Sequence, residues 1–88
     1  MAHSNQANKR IRQGERRRIQ NKGIASRMRS DVKRVLTLAE SGEKEQAEQL
    51  LPSAIRSVDK AMKRHVIHRN TAARKKSLLM RAVNSVGA

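Results

Sequence analysis

Residues 24–39 read Ile24-Ala25-Ser26-Arg27-Met28-Arg29-Ser30-Asp31-Val32-Lys33-Arg34-Val35-Leu36-Thr37-Leu38-Ala39, and their spacing decides the fold class. Placed at about 100° per residue, Ile24, Met28, Val32, Val35 and Ala39 recur at +4, +4, +3 and +4 and share an arc of about 80°. This is a helix with one buried stripe. Arg27, Arg29, Lys33 and Arg34 all lie off that stripe, so packing and binding of an anion do not compete for the same face.

Upstream the pattern changes. Among residues 1–23 only Met1, Ala2, Ala7, Ile11 and Ile19 are apolar, and Arg10 and Arg17 occupy the arc that is apolar further on. Such a segment has nothing to pack against a partner helix, and its like charges at i, i+3 and i+4 oppose helix formation unless something other than protein surrounds it. It is expected to be largely disordered alone and helical on a polyanion.

Downstream, Ser41-Gly42 supplies a stop, because glycine takes the left-handed conformation after a helix without steric cost. Glu43, Glu45 and Glu48 suit the positive end of a second helix. Its apolar set of Ala47, Leu50, Leu51, Ala54, Ile55, Val58, Ala61 and Met62 covers an arc of about 140°. Pro52 interrupts this helix, which predicts a kink near Leu51 or a break into two short helices. A third stripe of Ala72, Leu78, Leu79, Ala82, Val83 and Val86 again spans about 140°, with Lys75 inside it and able to lay its stem along apolar surface. No alternating β-branched run and no Asn-Gly or Asp-Gly turn marks a strand. The expected fold is therefore all-α: helices over 5–41, 43–63 and 67–86 in an up-down-up bundle, the first roughly 55 Å long and half of it projecting. One domain, 1–88, holds a basic helical extension (1–23) and the three-helix bundle (24–86).

The chain carries 21 Lys and Arg against 7 Asp and Glu in 88 residues, a formal charge of +14, with no Cys, Phe, Tyr or Trp. Its 36% hydrophobic content is too little, against that charge, for a free fold that is more than marginal. Residues 1–34 hold +9, residues 35–58 hold −2 and residues 59–88 hold +7, so two basic arms flank a middle that faces solvent. Absence of cysteine removes disulfides and thiolate metal sites and makes a reducing compartment the default. Met1 is followed by no apolar run of the kind a signal peptide has, and no run approaches the roughly 20 apolar residues of a membrane span.

Chemistry is excluded by what is missing. No strand leads into a glycine-rich loop, so phosphate cradles of the nucleotide-binding type are ruled out. His65 and His68 stand at i, i+3 but have only Asp59 as a nearby carboxylate among cations, too few ligands for a metal. The serines lie in no nucleophile elbow and have no base held by a carboxylate. The expectation is a protein that is not an enzyme and needs no metal or cofactor. Lys9-Arg10-Ile11-Arg12 and Arg16-Arg17-Arg18 are too one-signed for a salt-bridged solvent face, and phosphate is the counter-ion that dense arginine fits. Without aromatic rings, base-stacking readers such as OB-folds and RNP-type sheets are excluded, which leaves binding by backbone and shape. Folded RNA suits a rod without sequence-reading symmetry better than DNA does.

The string Ile67-His68-Arg69-Asn70-Thr71-Ala72-Ala73-Arg74-Lys75-Lys76-Ser77 resembles the signature of the bacterial and organellar small-subunit ribosomal protein S-twenty family. Met1-Ala2, Lys9-Arg10, Asn21, Ser26, Arg29-Ser30, Val32-Lys33-Arg34-Val35, Ser41-Gly42-Glu43-Lys44 and Val83-Asn84 extend the likeness over nearly the whole chain. The resemblance implies a three-helix bundle with an extended first helix and a continuous, kinked second one. It further implies direct binding to 16S ribosomal RNA early in small-subunit assembly. The expected partners are that RNA and neighbouring small-subunit components, with no membrane, no small-molecule substrate and no homo-oligomer, on a cytoplasmic or organellar ribosome. Departures from the family are Asp31 and Gly23, where an apolar or small helix-friendly residue is more usual, and Leu78, which replaces what is often a cation.

Carried over residue by residue, the first-helix RNA contacts are Lys9, Arg10, Arg12, Arg16, Arg17, Arg18, Asn21, Lys22, Ser26, Arg29, Lys33 and Arg34. Those of the third-helix motif are His68, Arg69, Asn70, Arg74, Lys75 and Lys76. For His68 packing at the helix start competes with RNA contact, and for Asn70 helix capping does. Ser26 and Ser30 either bind phosphate or bond back to their own helix. The alternative class is a non-ribosomal basic nucleic-acid protein, DNA-compacting or antiterminator-like, which would want a dimer seam longer than 24–39 supplies. A cationic membrane-surface peptide is a third class, disfavoured by the polar first helix and the missing aromatics.

Overall fold

The computed structural model describes residues 5–86. It holds three helices, α1 Asn5–Glu40, α2 Lys44–Lys63 and α3 Arg69–Asn84, and no strand among the described residues. All three pairs of helices touch. The short turns between them reverse the chain, which gives the expected three-helix bundle. The family-like Met1-Ala2 opening lies outside the described residues.

The stripe that decided α1 is the one that packs. Met28, Val32 and Val35 are buried, and Ile24 and Leu36 pack against the core from its edges. From α2 come Ala47, Ala54, Val58 and Ala61, and from α3 Ala72, Leu79 and Val83, nearly all with no exposed surface. The many alanines at the α2 contacts let backbones approach closely, which is how helices with so few large side chains still exclude water. Leu78 departs from the expectation: it is 48% exposed. It stands roughly 100° from the centre of the arc that Ala72, Leu79, Val83 and Val86 define, beyond the reach of the two covering helices. Val66 and Ile67, in the turn before α3, also pack against the core.

Both turns end their helix in the same way. After α1, Gly42 (φ 77°) donates its N–H to Ala39 O at 3.1 Å while Glu43 N–H reaches Leu38 O at 3.0 Å. After α2, His65 (φ 59°) donates to Met62 O at 3.0 Å while Val66 N–H reaches Ala61 O at 2.8 Å. These are two Schellman caps, each satisfying carbonyls the helix end leaves open. α2 runs unbroken through Pro52, so the expected alternative of two short helices does not form. Glu48 and Pro52 are both exposed, and water can serve the carbonyl that loses its partner to the missing proline N–H.

Candidate nucleic-acid interface

No residue of α1 before Ile24 belongs to the core, and of residues 8–23, about 24 Å of helix, all but Asn21 are exposed. Lys9, Arg10, Arg12, Arg16, Arg17, Arg18 and Lys22 are all exposed there and surround the rod, while Asn21 is half-buried where it meets the bundle. The one acid, Glu15, accepts from Arg18 Nη2 at 3.0 Å in an exposed pair, which neutralises a single cation locally. Ile11 and Ile19 are 65% and 63% exposed, and at roughly 80° apart they form no common seam.

Within the bundle α1 carries Ser26, Arg29, Lys33 and Arg34 exposed. Arg29 and Lys33 converge with Lys75 of α3 along a groove of about 430 Å³, whose floor includes Val32 and Leu36. Lys75 is half-buried there, its stem against apolar surface as its place inside the stripe predicts. This brings together three residues that the sequence assigned separately to two helices.

At the start of α3, His68, Arg69, Asn70 and Arg74 are exposed. The capping residue is His68 and not Asn70: in extended conformation (φ −74°, ψ 151°) its Nδ1 accepts the Asn70 backbone N–H at 3.1 Å. An accepting Nδ1 leaves the hydrogen on Nε2, which is thereby an outward donor. Histidine is absent from the usual N-cap set, so sequence favours asparagine for the role. Asn70 keeps its side chain free of that task, beside Arg69. Lys76 is placed differently from its neighbours, since its Nζ lies 2.9 Å from Asp59 Oδ1, with side chains 32% and 36% exposed. That pair ties α3 to α2. No group of three or more His, Asp or Glu side chains suited to a metal occurs among the described residues.

Sequence reasoning missed a second set of cations, Arg56 and Lys60 of α2 and Arg64 at its C-cap, which with Arg27 border the opposite side of α1. Their +4 spacing is readable in the sequence, but nothing in α2 alone shows that this edge faces Arg27 of α1.

The family model for ribosomal protein S20 matches residues 2–84. Similar curated proteins are each named small ribosomal subunit protein bS20. That of Mycobacterium ulcerans is 46% identical over 87 residues, covering 99% of this chain and all of its own. That of Acidithiobacillus ferrooxidans is 44% identical over 87 residues, 99% of this chain and 96% of its own. That of Dictyoglomus thermophilum is 43% identical over 84 residues, 96% and 90%. A match through the projecting rod, both capped turns and the His68–Ser77 string leaves one assignment, and the chain belongs to the ribosomal protein S20 family.

Proposed function

We propose that this chain binds 16S ribosomal RNA directly, through the projecting half of α1 and the start of α3, and stabilises the folded RNA as the small subunit assembles. Membership of the family makes it a structural protein of the small ribosomal subunit, cytoplasmic in bacteria, and not an enzyme. No helix among the described residues is long and apolar enough to cross a membrane. The observation that carries the reading is the stretch 8–23, a helix with seven cations and one acid that puts no residue into the core. A rod of that composition is completed by phosphate, whose bound counter-ions are released as arginine and lysine take their place. The DNA-compacting alternative lacks a dimer seam, because the apolar stripe of α1 is used inside the bundle.

The test is binding of the full chain to 16S ribosomal RNA across a salt series. The log of the affinity should fall steeply with log salt, by about 0.9 per phosphate neutralised on the duplex scale. Replacing Arg16, Arg17 and Arg18 together by Gln should weaken binding at least about tenfold and flatten that slope. A salt-independent affinity, or a triple variant that binds as the parent does, contradicts the reading.

A further inference from the structure

We propose that the groove between α1 and α2 is a second phosphate-backbone site, in which Asp31 competes with the nucleic acid for Arg27 and so holds the affinity down. The groove measures about 800 Å³ and is bordered by Arg27 of α1, by Arg56 and Lys60 of α2 and by Arg64 at the C-cap of α2. On its floor Asp31 accepts the Ser57 Oγ–H, and Arg27 Nε lies 3.9 Å from the same Asp31 oxygen. The site rests on the reading that the chain binds ribosomal RNA, but it uses none of the residues assigned to that role above.

Three physical points carry it. Arg56, Lys60 and Arg64 follow one another at i, i+4 and i+8 along one edge of α2, a like-charge ladder that disfavours the free helix. Lys60 and Arg64 have a local reason to be there, since cations suit a helix C-terminus, whereas the local partners of Arg56 and Arg27 are weak: a 3.4 Å bond from Arg56 Nε to Pro52 O and the 3.9 Å approach of Arg27 to Asp31. Four residues of helix rise about 6 Å, close to the separation of successive phosphates along a strand, so the ladder can follow a backbone. The third point is the weakness of the present pairing. Arg27 is 81% exposed and its contact with Asp31 is long, whereas a phosphate would offer it a bidentate, charge-assisted partner. Asp31 is 23% exposed and anchored across the helix pair by Ser57, so its charge stays in the groove when Arg27 turns to an RNA. That fixed negative charge opposes an incoming phosphate.

The experiment measures 16S ribosomal RNA affinity across a salt series for full-length variants whose helicity and thermal midpoint are checked in parallel. The double variant Arg56→Gln/Lys60→Gln is compared with Lys44→Gln/Lys63→Gln, which removes the same charge from α2 outside the groove. The groove double should lose about tenfold in affinity and flatten the log–log salt slope by about two, the control double about twofold or less. Asp31→Asn, which can still accept from Ser57, should bind about threefold to tenfold tighter. Glu45→Gln, the same charge change at a distance, should gain no more than about twofold. Equal losses in the two doubles overturn the site. An Asp31→Asn no tighter than Glu45→Gln overturns the role of Asp31. If the parent binds and the Arg16, Arg17, Arg18 variant weakens while the groove double does not, only the groove has failed. A parent that does not bind at all removes both readings.

Discussion

His65 shows what a single dihedral costs. Its φ of 59° is the left-handed region, which a side chain with a Cβ occupies at roughly 1–2 kcal/mol, and the same position after α1 is filled by Gly42. Nothing in the Schellman hydrogen bonds needs an imidazole. His65→Gly is therefore expected to raise stability by about 0.5–1 kcal/mol, the relief of strain offset in part by a freer unfolded chain. A thermal midpoint unchanged or lowered would count against that strain. The neighbouring His68 allows capping and binding to be separated. His68→Ala should cost about 1 kcal/mol through the lost Asn70 N–H acceptor, whereas His68→Ser keeps an acceptor and should cost little, yet both remove the outward Nε2–H. Binding to 16S ribosomal RNA weakened equally in the two variants would assign the imidazole a contact of its own, and loss in the alanine variant alone would assign it the cap. At this scale the sequence was half legible. Gly42 announces its conformation because glycine is the residue that reaches it freely, while His65 and His68 act through backbone positions that their residue type does not advertise.

Each helix divides by what covers it. In α1 the step from Arg-rich rod to buried stripe falls at Ile24, and the two sides have opposite reasons to be helical. Residues 28–35 are held by burial of Met28, Val32 and Val35, whereas 8–20 put no side chain into the core and, apart from the exposed Glu15–Arg18 pair, set mostly like charges beside one another. Hydrogen exchange on the free chain should find amides of 28–35 protected to near the global unfolding free energy and those of 8–20 exchanging almost as in a peptide, with protection of 8–20 appearing on addition of 16S ribosomal RNA. Uniform protection along α1 without RNA would mean that the rod is stable by itself. Periodicity made this division readable, because an apolar residue every third or fourth position is a property of the covered half only. It misled at Leu78, where a stripe drawn to its widest arc includes a residue that the two neighbouring helices do not cover. It was silent about the Asp59–Lys76 pair, which depends on how α2 and α3 lie across each other and not on either pattern alone.

The whole molecule measures 66 × 20 × 15 Å with a radius of gyration of 17.6 Å, against roughly 12 Å for a compact chain of this length. Its accessible surface of 6949 Å² is about a third more than a folded monomer of 9.9 kDa exposes on average. The chain carries a net charge of +14, and the ion pairs among the described residues, Glu15–Arg18, Asp31–Arg27 and Asp59–Lys76, join six charges, three of each sign. Repulsion therefore outweighs attraction in the free chain, and added salt screens mostly what is unfavourable. In the complex the balance reverses, because salt returns counter-ions to the RNA and weakens every phosphate contact. Salt should then act with opposite sign on the two states. Thermal unfolding of the free protein should move upward between about 0.02 and 0.5 M sodium chloride, while the affinity for 16S ribosomal RNA falls across the same range. A free chain whose midpoint drops with salt would mean that its few ion pairs matter more than its excess of cations, and the rod would then owe its form to the protein and not to the anion beside it.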